Sequence, residues 1–211
     1  MINNIEVFTQ NHIRINSNII IEVDPFEVKM GNNDADYVLI THDHYDHFSP
    51  KDIEKIVSKN TIIIAPISTK DKVNIVEKLV KEIVYVEVGK KYNVGALEFE
   101  TVASYNIGKP FHPKSANYLG YIIIKDGCRI YIAGDTDATI EAKNVKCDIA
   151  ILPVGGTYTM NAKEAAELAN VIKPKYAIPV HFGTVCGSVN DGNVFEENVG
   201  SGIKVVHKLK Y

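Results

Sequence analysis

Three of the chain's seven histidines fall inside six consecutive residues, His42-Asp43-His44-Tyr45-Asp46-His47. Imidazole and carboxylate side chains are donors that suit Zn2+, and they also accept Fe or Mn. Along an extended segment side-chain direction repeats every two residues, so His42 and His44 can grip one ion. Asp46 and His47 come next, where the chain turns, and can face a neighbouring ion. The plain alternative is a solvated polar loop or a charged helix start. At this composition such a set of offsets arises by chance on the order of once in two thousand chains, which weighs against that alternative.

The surrounding elements must position these side chains. β-branched segments over 5–8, 13–15 and 19–23, punctuated by Asn16-Ser17-Asn18, predict strands. Pro25 is expected to hold Asp24 extended at the end of the third. A short apolar strand over 37–41 leads straight into the histidines. Ser49-Pro50 marks a helix start, with Ser49 as N-cap and Ile53, Ile56 and Val57 inward. A strand over 61–65, a second amphipathic helix over about 69–81, and strands over 83–88 and Leu97–Ala103 follow. Asp126-Gly127 predicts a hairpin turn between 118–125 and 129–133. The rest reads as a strand over 148–154, an Asn161-capped helix to Ile172, the strand Tyr176–Val180 and an edge strand over 205–209. This order predicts an α/β (α+β) fold of two packed sheets with helices on their outer faces, in one domain spanning 1–211. His47, Asp135 and His181 all fall just beyond strand ends, where loops can present them in one cleft.

Whole-chain properties narrow the classes. A chain of 211 residues buries enough surface to need no disulfide staples. The net charge of −3 argues against a nucleic-acid surface. Cys128, Cys147 and Cys186 form no CxxC pair, which fits a reducing compartment. The start, MINNIEVFTQNHIRI, has neither a basic nor an apolar signal region, and the apolar runs 62–64, 121–124 and 149–154 are too short to span a bilayer. The expectation is a cytoplasmic protein without membrane insertion, acting on a small molecule rather than nucleic acid.

With those residues in view, the chain resembles the metallo-β-lactamase superfamily. HxHxDH after an apolar strand is similar to its signature. Ile130-Tyr131-Ile132-Ala133-Gly134-Asp135-Thr136 resembles its strand–Gly-Asp motif, Pro179-Val180-His181-Phe182 its final histidine, and Glu22-Val23-Asp24-Pro25-Phe26 its early supporting aspartate. The resemblance runs from about 13 to 184. Pro153-Val154-Gly155-Gly156-Thr157-Tyr158-Thr159-Met160 is similar to the compact branch containing L-ascorbate-6-phosphate lactonase-like proteins. So is Asn11-His12, although that branch has glycine where this chain has Asn11.

The resemblance implies a four-layer αβ/βα sandwich with a dinuclear centre at one edge, holding two divalent ions, Zn2+ first and Mn2+ or Fe as alternatives. It implies that His42 and His44 bind the first ion, that Asp46, His47 and His181 bind the second, and that Asp135 bridges them. The branch places a third histidine for the first ion where this chain has Ser104-Tyr105-Asn106. His112, the one histidine between His47 and His181, is assigned that role; the competing reading is a surface-loop histidine and an incomplete first site. A water shared by two such ions is acidic enough to attack a carbonyl or phosphorus near neutral pH, with Asp46 orienting or deprotonating it and no Ser or Cys nucleophile required.

Other residues have two readings each. Tyr158 is either a donor to an oxyanion or a packed loop aromatic. Asp24 is expected to orient a ligand histidine from behind. His12 is expected near the cleft, Cys186 in a loop after His181, and His207 exposed at an edge. Lys109 and Lys114 are either attractors of an anionic substrate or solvated loop lysines. The leading expectation is a metal-dependent hydrolase of a small ester, lactone or phosphodiester. The alternatives are a nuclease of the same superfamily, a di-iron flavin-linked redox protein and a non-catalytic metal-binding module.

Overall fold

In the computed structural model, which describes residues 1–210, the β-branched segments at the N-terminus pair in chain order. β1 (Ile5–Val7), β2 (Ile13–Asn16) and β3 (Ile20–Val23) form an antiparallel meander, which β4 (Tyr37–Leu39), β5 (Ile62–Pro66) and β6 (Glu82–Val86) extend in parallel. The second sheet starts with β7 (Lys91–Val94), β8 (Leu97–Ala103), β9 (Leu119–Lys125) and β10 (Cys128–Ile132), paired antiparallel. It continues in parallel through β11 (Ile149–Pro153), β12 (Tyr176–Val180) and β13 (Lys204–Val205). Asp126 (φ 51°) and Gly127 (φ 71°) both adopt left-handed geometry, the condition for the expected two-residue hairpin turn.

The sheets pack face to face through alternate residues. Ile13, Ile15, Ile21, Val23 and Leu39 meet Phe99, Tyr121, Ile123, Ile130 and Ile151 in one cluster. The outer face of the first sheet is covered by α1 (Pro50–Ile56) and the helical turns after β5, around Ile53, Val73 and Val76. The second is covered by α2 (Ile140–Lys143), α3 (Ala162–Ile172) and α4 (Asp191–Asn198), through Ala165, Leu168, Ala169 and Phe195. The result is the expected helix–sheet–sheet–helix sandwich. An Asn161–Glu164 capping box starts α3, a device worth about 1 kcal/mol.

Several local expectations differ. The stretch 69–81 is not one α-helix: a four-residue turn, Lys70–Val73, passes into a 3-10 segment, Asn74–Leu79. Valines at 73 and 76 are buried three apart, the 3-10 repeat, and β-branching weakens α-helix here. The edge strand expected over 205–209 shrinks to Lys204–Val205; the chain then crosses to the first sheet, where Leu209 bridges Val7. Ser49 precedes α1 but does not cap its backbone, donating instead to Asp52 Oδ2 (2.7 Å). Among the described residues, no helix is long and apolar enough to cross a membrane.

Candidate metal centre

Strands β8, β10, β11 and β12 share one direction, so the loops after them emerge at the same edge of the second sheet. The loop after β4 is fastened to that edge. Tyr121 Oη donates to the Ile40 carbonyl (2.7 Å) and the Leu119 N–H to the Thr41 carbonyl (3.0 Å). Those loops carry every expected metal-binding residue. His42, His44, Asp46 and His47 follow β4, His112 comes from the loop after β8, Asp135 follows β10, and His181 follows β12.

Their donor atoms form two groups. His44 Nδ1 lies 3.1 Å from both His42 Nε2 and His112 Nε2. His47 Nε2 lies 3.2 Å from His181 Nε2, and Asp46 Oδ2 lies 3.7 and 3.5 Å from those two nitrogens. Asp135 stands between. Its Oδ1 is 3.3 Å from His47 Nε2 and 3.2 Å from His181 Nε2, while its Oδ2 is 3.5 Å from His112 Nε2. His112 is therefore no surface-loop residue; it is buried against His44.

The donors suit a divalent ion in each group. Tetrahedral bonds of about 2.0–2.1 Å put neighbouring donor atoms roughly 3.3–3.4 Å apart, close to the separations here. Buried Asp135 Oδ1 has two imidazole nitrogens within 3.3 Å but no hydrogen bond of regular geometry, as expected of an oxygen placed to share an ion with those rings.

Outer partners orient four of the five rings. Asp24, wholly buried, faces His47 Nδ1 (2.8 Å) and accepts from Thr41 N (2.8 Å), Thr41 Oγ1 (2.6 Å) and Asn11 Nδ2 (2.7 Å). With Nδ1 directed at Asp24, Nε2 is the nitrogen that His47 turns to the cluster. Thr41 Oγ1 is 3.0 Å from His42 Nδ1 and Asn106 Oδ1 is 3.0 Å from His112 Nδ1. Asn106 also accepts from the His112 N–H (3.2 Å) and donates to the Tyr158 carbonyl (2.9 Å), closing the loop that delivers His112. Cys186 Sγ is 3.3 Å from His181 Nδ1. Gln10 Nε2 points at Asp46 Oδ2 (3.3 Å).

Backbone geometry shows the cost of this convergence. Asp24 is not extended, as the proline after it led one to expect, but left-handed at φ 45°, and His181 (φ 59°) and Gln10 (φ 59°) are left-handed too. Such geometry costs on the order of 1–3 kcal/mol per residue and persists where contacts over-determine it; the four contacts of the Asp24 carboxylate do so here. Gly134, just before Asp135, is at φ 65°, and a Cβ there would sit 3.0 Å from the Leu119 carbonyl oxygen.

The groups differ in charge. Burial, reinforced by His47, pushes His42 well below the usual imidazole range; burial also lowers His44 and brings His112 down to about 4. Burial opposes a proton on His47 as well, but Asp135 and Asp24 outweigh it and raise it to about 10. His181 is likewise driven well above its usual range against burial, by Asp135 and Asp46. Asp46 falls to about 2: burial opposes, and the hydrogen bond with His181 and the charge of His47 prevail.

A family model described as a β-lactamase superfamily domain matches residues 7–181. The chain belongs to the metallo-β-lactamase superfamily. A metal-dependent hydrolase of Aeropyrum pernix is 32% identical over 186 residues, covering 78% of this chain and 73% of the relative. One from Pyrococcus furiosus is 31% identical over 180 residues, covering 82% and 77%. The crystal structure of a protein from Parabacteroides distasonis, described as a metal-dependent hydrolase, superposes with a TM-score of 0.82 at 31% identity. That match covers 98% of this chain and 93% of the other. The chain is a metal-dependent hydrolase of this fold.

In this metallo-β-lactamase fold protein a cleft of about 280 Å³ opens onto the cluster, floored by His44, Asp46, His112 and Asp135 and walled by Tyr45, Phe111, Tyr158 and Val185. Tyr158 packs edge-on against Phe111 (4.7 Å). A separate cavity of about 510 Å³ lies by His12, Arg14 and Glu22 and touches none of the cluster. Converging donors, not volume, make the smaller cleft the candidate site. His12 thus stays out of it, with Nε2 3.0 Å from Glu22 Oε2. Lys109 is held by Asp137 Oδ1 (2.6 Å) and the Thr159 carbonyl (2.7 Å), and Lys114 by Glu141 Oε1 (2.6 Å), so neither reaches the cleft as a free cation. His207 pairs with Glu196 (2.8 Å) at the surface.

Sequence reasoning missed Gln10, Thr41 and Asn106. None titrates, and each acts through a contact distant in the chain or through loop shape. The signal nearest to hand was position: Thr41 precedes the histidines, and Asn106 stands where the branch has its third histidine.

Proposed function

We propose that the cluster holds two divalent ions and uses them to hydrolyse a small ester, lactone or phosphodiester. Zn2+ is the ion its nitrogen and oxygen donors suit first, with Mn2+ or Fe as alternatives. His42, His44 and His112 hold one ion, Asp46, His47 and His181 the other, and Asp135 both. The observation that carries this reading is Asp135, whose two oxygens face opposite groups at 3.2–3.5 Å. Ions bound there would supply Lewis acidity and would lower the pKa of a bound water toward neutrality.

The chain's own residues have distinct tasks. Asp46, at about 2, stays ionised through the neutral range and is too weak a base to carry the proton, so it orients water by accepting its hydrogen bond. Asp24, Thr41, Asn106 and Cys186 fix the ring orientations. The Tyr158 side chain lines the cleft, which supports its donating to the developing oxyanion. Three free cysteines support a reducing compartment such as the cytoplasm.

Metal analysis of protein purified without chelator tests this reading. Two ions per chain are expected, with His42→Ala retaining about one and Asp135→Ala losing metal and hydrolysis together. Unchanged metal content and activity in both variants would overturn it.

A further inference from the structure

The cleft floor is polar and its walls are largely apolar. Tyr45 is 66% exposed, Phe111 41% and Val185 39%, three large apolar side chains left open around one mouth beside Tyr158. Exposed apolar groups gathered at a concave site mark what the site is shaped to cover. No Lys or Arg lines this cleft.

Three lysines on neighbouring segments are each paired with a carboxylate. Lys109 is bound by Asp137, Lys114 by Glu141, and Lys72, in a groove that shares His44 and Tyr45 with the cleft, by Asp43 (2.8 Å). That groove also carries Asp71. Arginine is the side chain that reads phosphate in bidentate fashion. The chain has two, Arg14 and Arg129; the first is clamped to Glu22 (2.6 Å) and Asp34 (2.7 Å), the second to Glu100 (3.0 Å). A phosphate or carboxylate carried by the substrate away from its reacting group would find no lysine or arginine in the cleft to hold it.

Resting on the hydrolase reading above, we infer that the cleft selects small uncharged esters or lactones with an apolar alkyl or aryl group, and discriminates against phosphorylated or otherwise anionic substrates. The apolar group packs on Phe111, Tyr45 and Val185 while the acyl carbon faces the cluster. The water oxygen bonds to the acyl carbon and the acyl C–O bond breaks. One water proton ends on the departing alcohol oxygen, the other leaves with the acid, which ionises. A lactone opens to its hydroxy acid by the same step. The volume, about 280 Å³, lies at the small end of ligand sites, which suits a small substrate.

The test has a binding arm and a turnover arm, both on metal-loaded protein. Acetohydroxamate and benzohydroxamate are compared by calorimetry, with phenyl phosphate as the anionic probe. The phenyl ring should tighten hydroxamate binding at least about tenfold, a gain Phe111→Ala largely removes, with metal content unchanged. In turnover, kcat/KM should rise about tenfold from acetate to butyrate esters, as two buried methylenes require. A neutral lactone should be preferred at least tenfold over its phosphorylated counterpart, and Val185→Lys should narrow that preference. Equal binding of the two hydroxamates, a chain-length profile untouched by Phe111→Ala, or preference for the phosphorylated lactone or a phosphodiester overturns the inference. Hydroxamate discrimination with no hydrolysis of any ester or lactone overturns instead the hydrolase reading, and with it the substrate assignment.

Discussion

Behind His42 and His112 stand a hydroxyl and an amide; behind His47 and His181 stand a carboxylate and a thiol. Burial lowers the pKa of the first group's imidazoles and favours their neutral form, whereas the neighbouring carboxylates raise His47 and His181 and favour the protonated ring. Similar side chains, a few ångströms apart, thus favour opposite charge states. The cause is the placement of carboxylates. Asp24 and Asp46 touch the second group, and Asp135 touches it with two contacts against one. The first group is a set of imidazoles favoured as neutral; in the second, imidazole and carboxylate lie side by side, so that an ion held there would have to displace protons.

The largest expected consequence is in pH dependence. Metal binding needs neutral imidazole. His47, raised to about 10, must give up a proton on binding, and so must His181, so affinity at the second position falls as pH falls. Each displaced proton contributes about tenfold per pH unit. At the first position His42 and His44 are lowered and His112 sits at about 4, so affinity there should fall far less steeply between pH 8 and 6. Titrating metal-free protein with Zn2+ at pH 8, 7 and 6 should show the second equivalent weakening by about a hundredfold or more while the first weakens far less. Parallel weakening of both equivalents would break the comparison.

Next in size are the outer partners. Asp24→Asn keeps the volume but removes the charge beside His47, and should weaken the second position by about 10–100-fold. Asn106→Ala removes a neutral brace of His112, about half as strong as a charged one, and should weaken the first position by several-fold only. Paired metal titrations of the two variants decide it. If Asn106→Ala proves the more damaging, loop ordering rather than charge separates the halves.

Much of this was legible beforehand, for identifiable reasons. HxHxDH, Asp135 and His181 sit at strand ends, and alternation of apolar residues marks those strands, so the convergence of the ligands could be expected. His112 rested on resemblance and on its being the histidine left over, because the loop from β8 to β9 has no periodicity to read. The left-handed Asp24 was misread: the local rule for a residue before proline yields to a carboxylate with four partners, and only tertiary structure supplies those. The helix expected over 69–81 failed for a related reason, as apolar spacings of three and four do not distinguish 3-10 from α geometry over two turns. The split in charge state was invisible, since it depends on distances such as that between His47 and His181, 134 residues apart.

Cys186 carries the smallest expected effect and sharpens the comparison from inside the second group. Its Sγ is 3.3 Å from His181 Nδ1 and 3.6 Å from the His181 carbonyl oxygen, so the thiol can accept from the ring and donate to the backbone. Gly155 makes room for that arrangement: a Cβ there would stand 2.7 Å from the sulfur. Sulfur is a weak acceptor, so the thiol orients His181 without holding charge as Asp24 does for His47. Cys186→Ala should therefore weaken the second position only about two- to threefold, well short of the 10–100-fold expected for Asp24→Asn. Cys186→Ser, with a better acceptor on a shorter bond, should restore most of that loss. Metal titration of both variants at pH 7.5 checks it. A loss in Cys186→Ala as large as that in Asp24→Asn would mean that ring orientation, not the carboxylate charge, governs the second position.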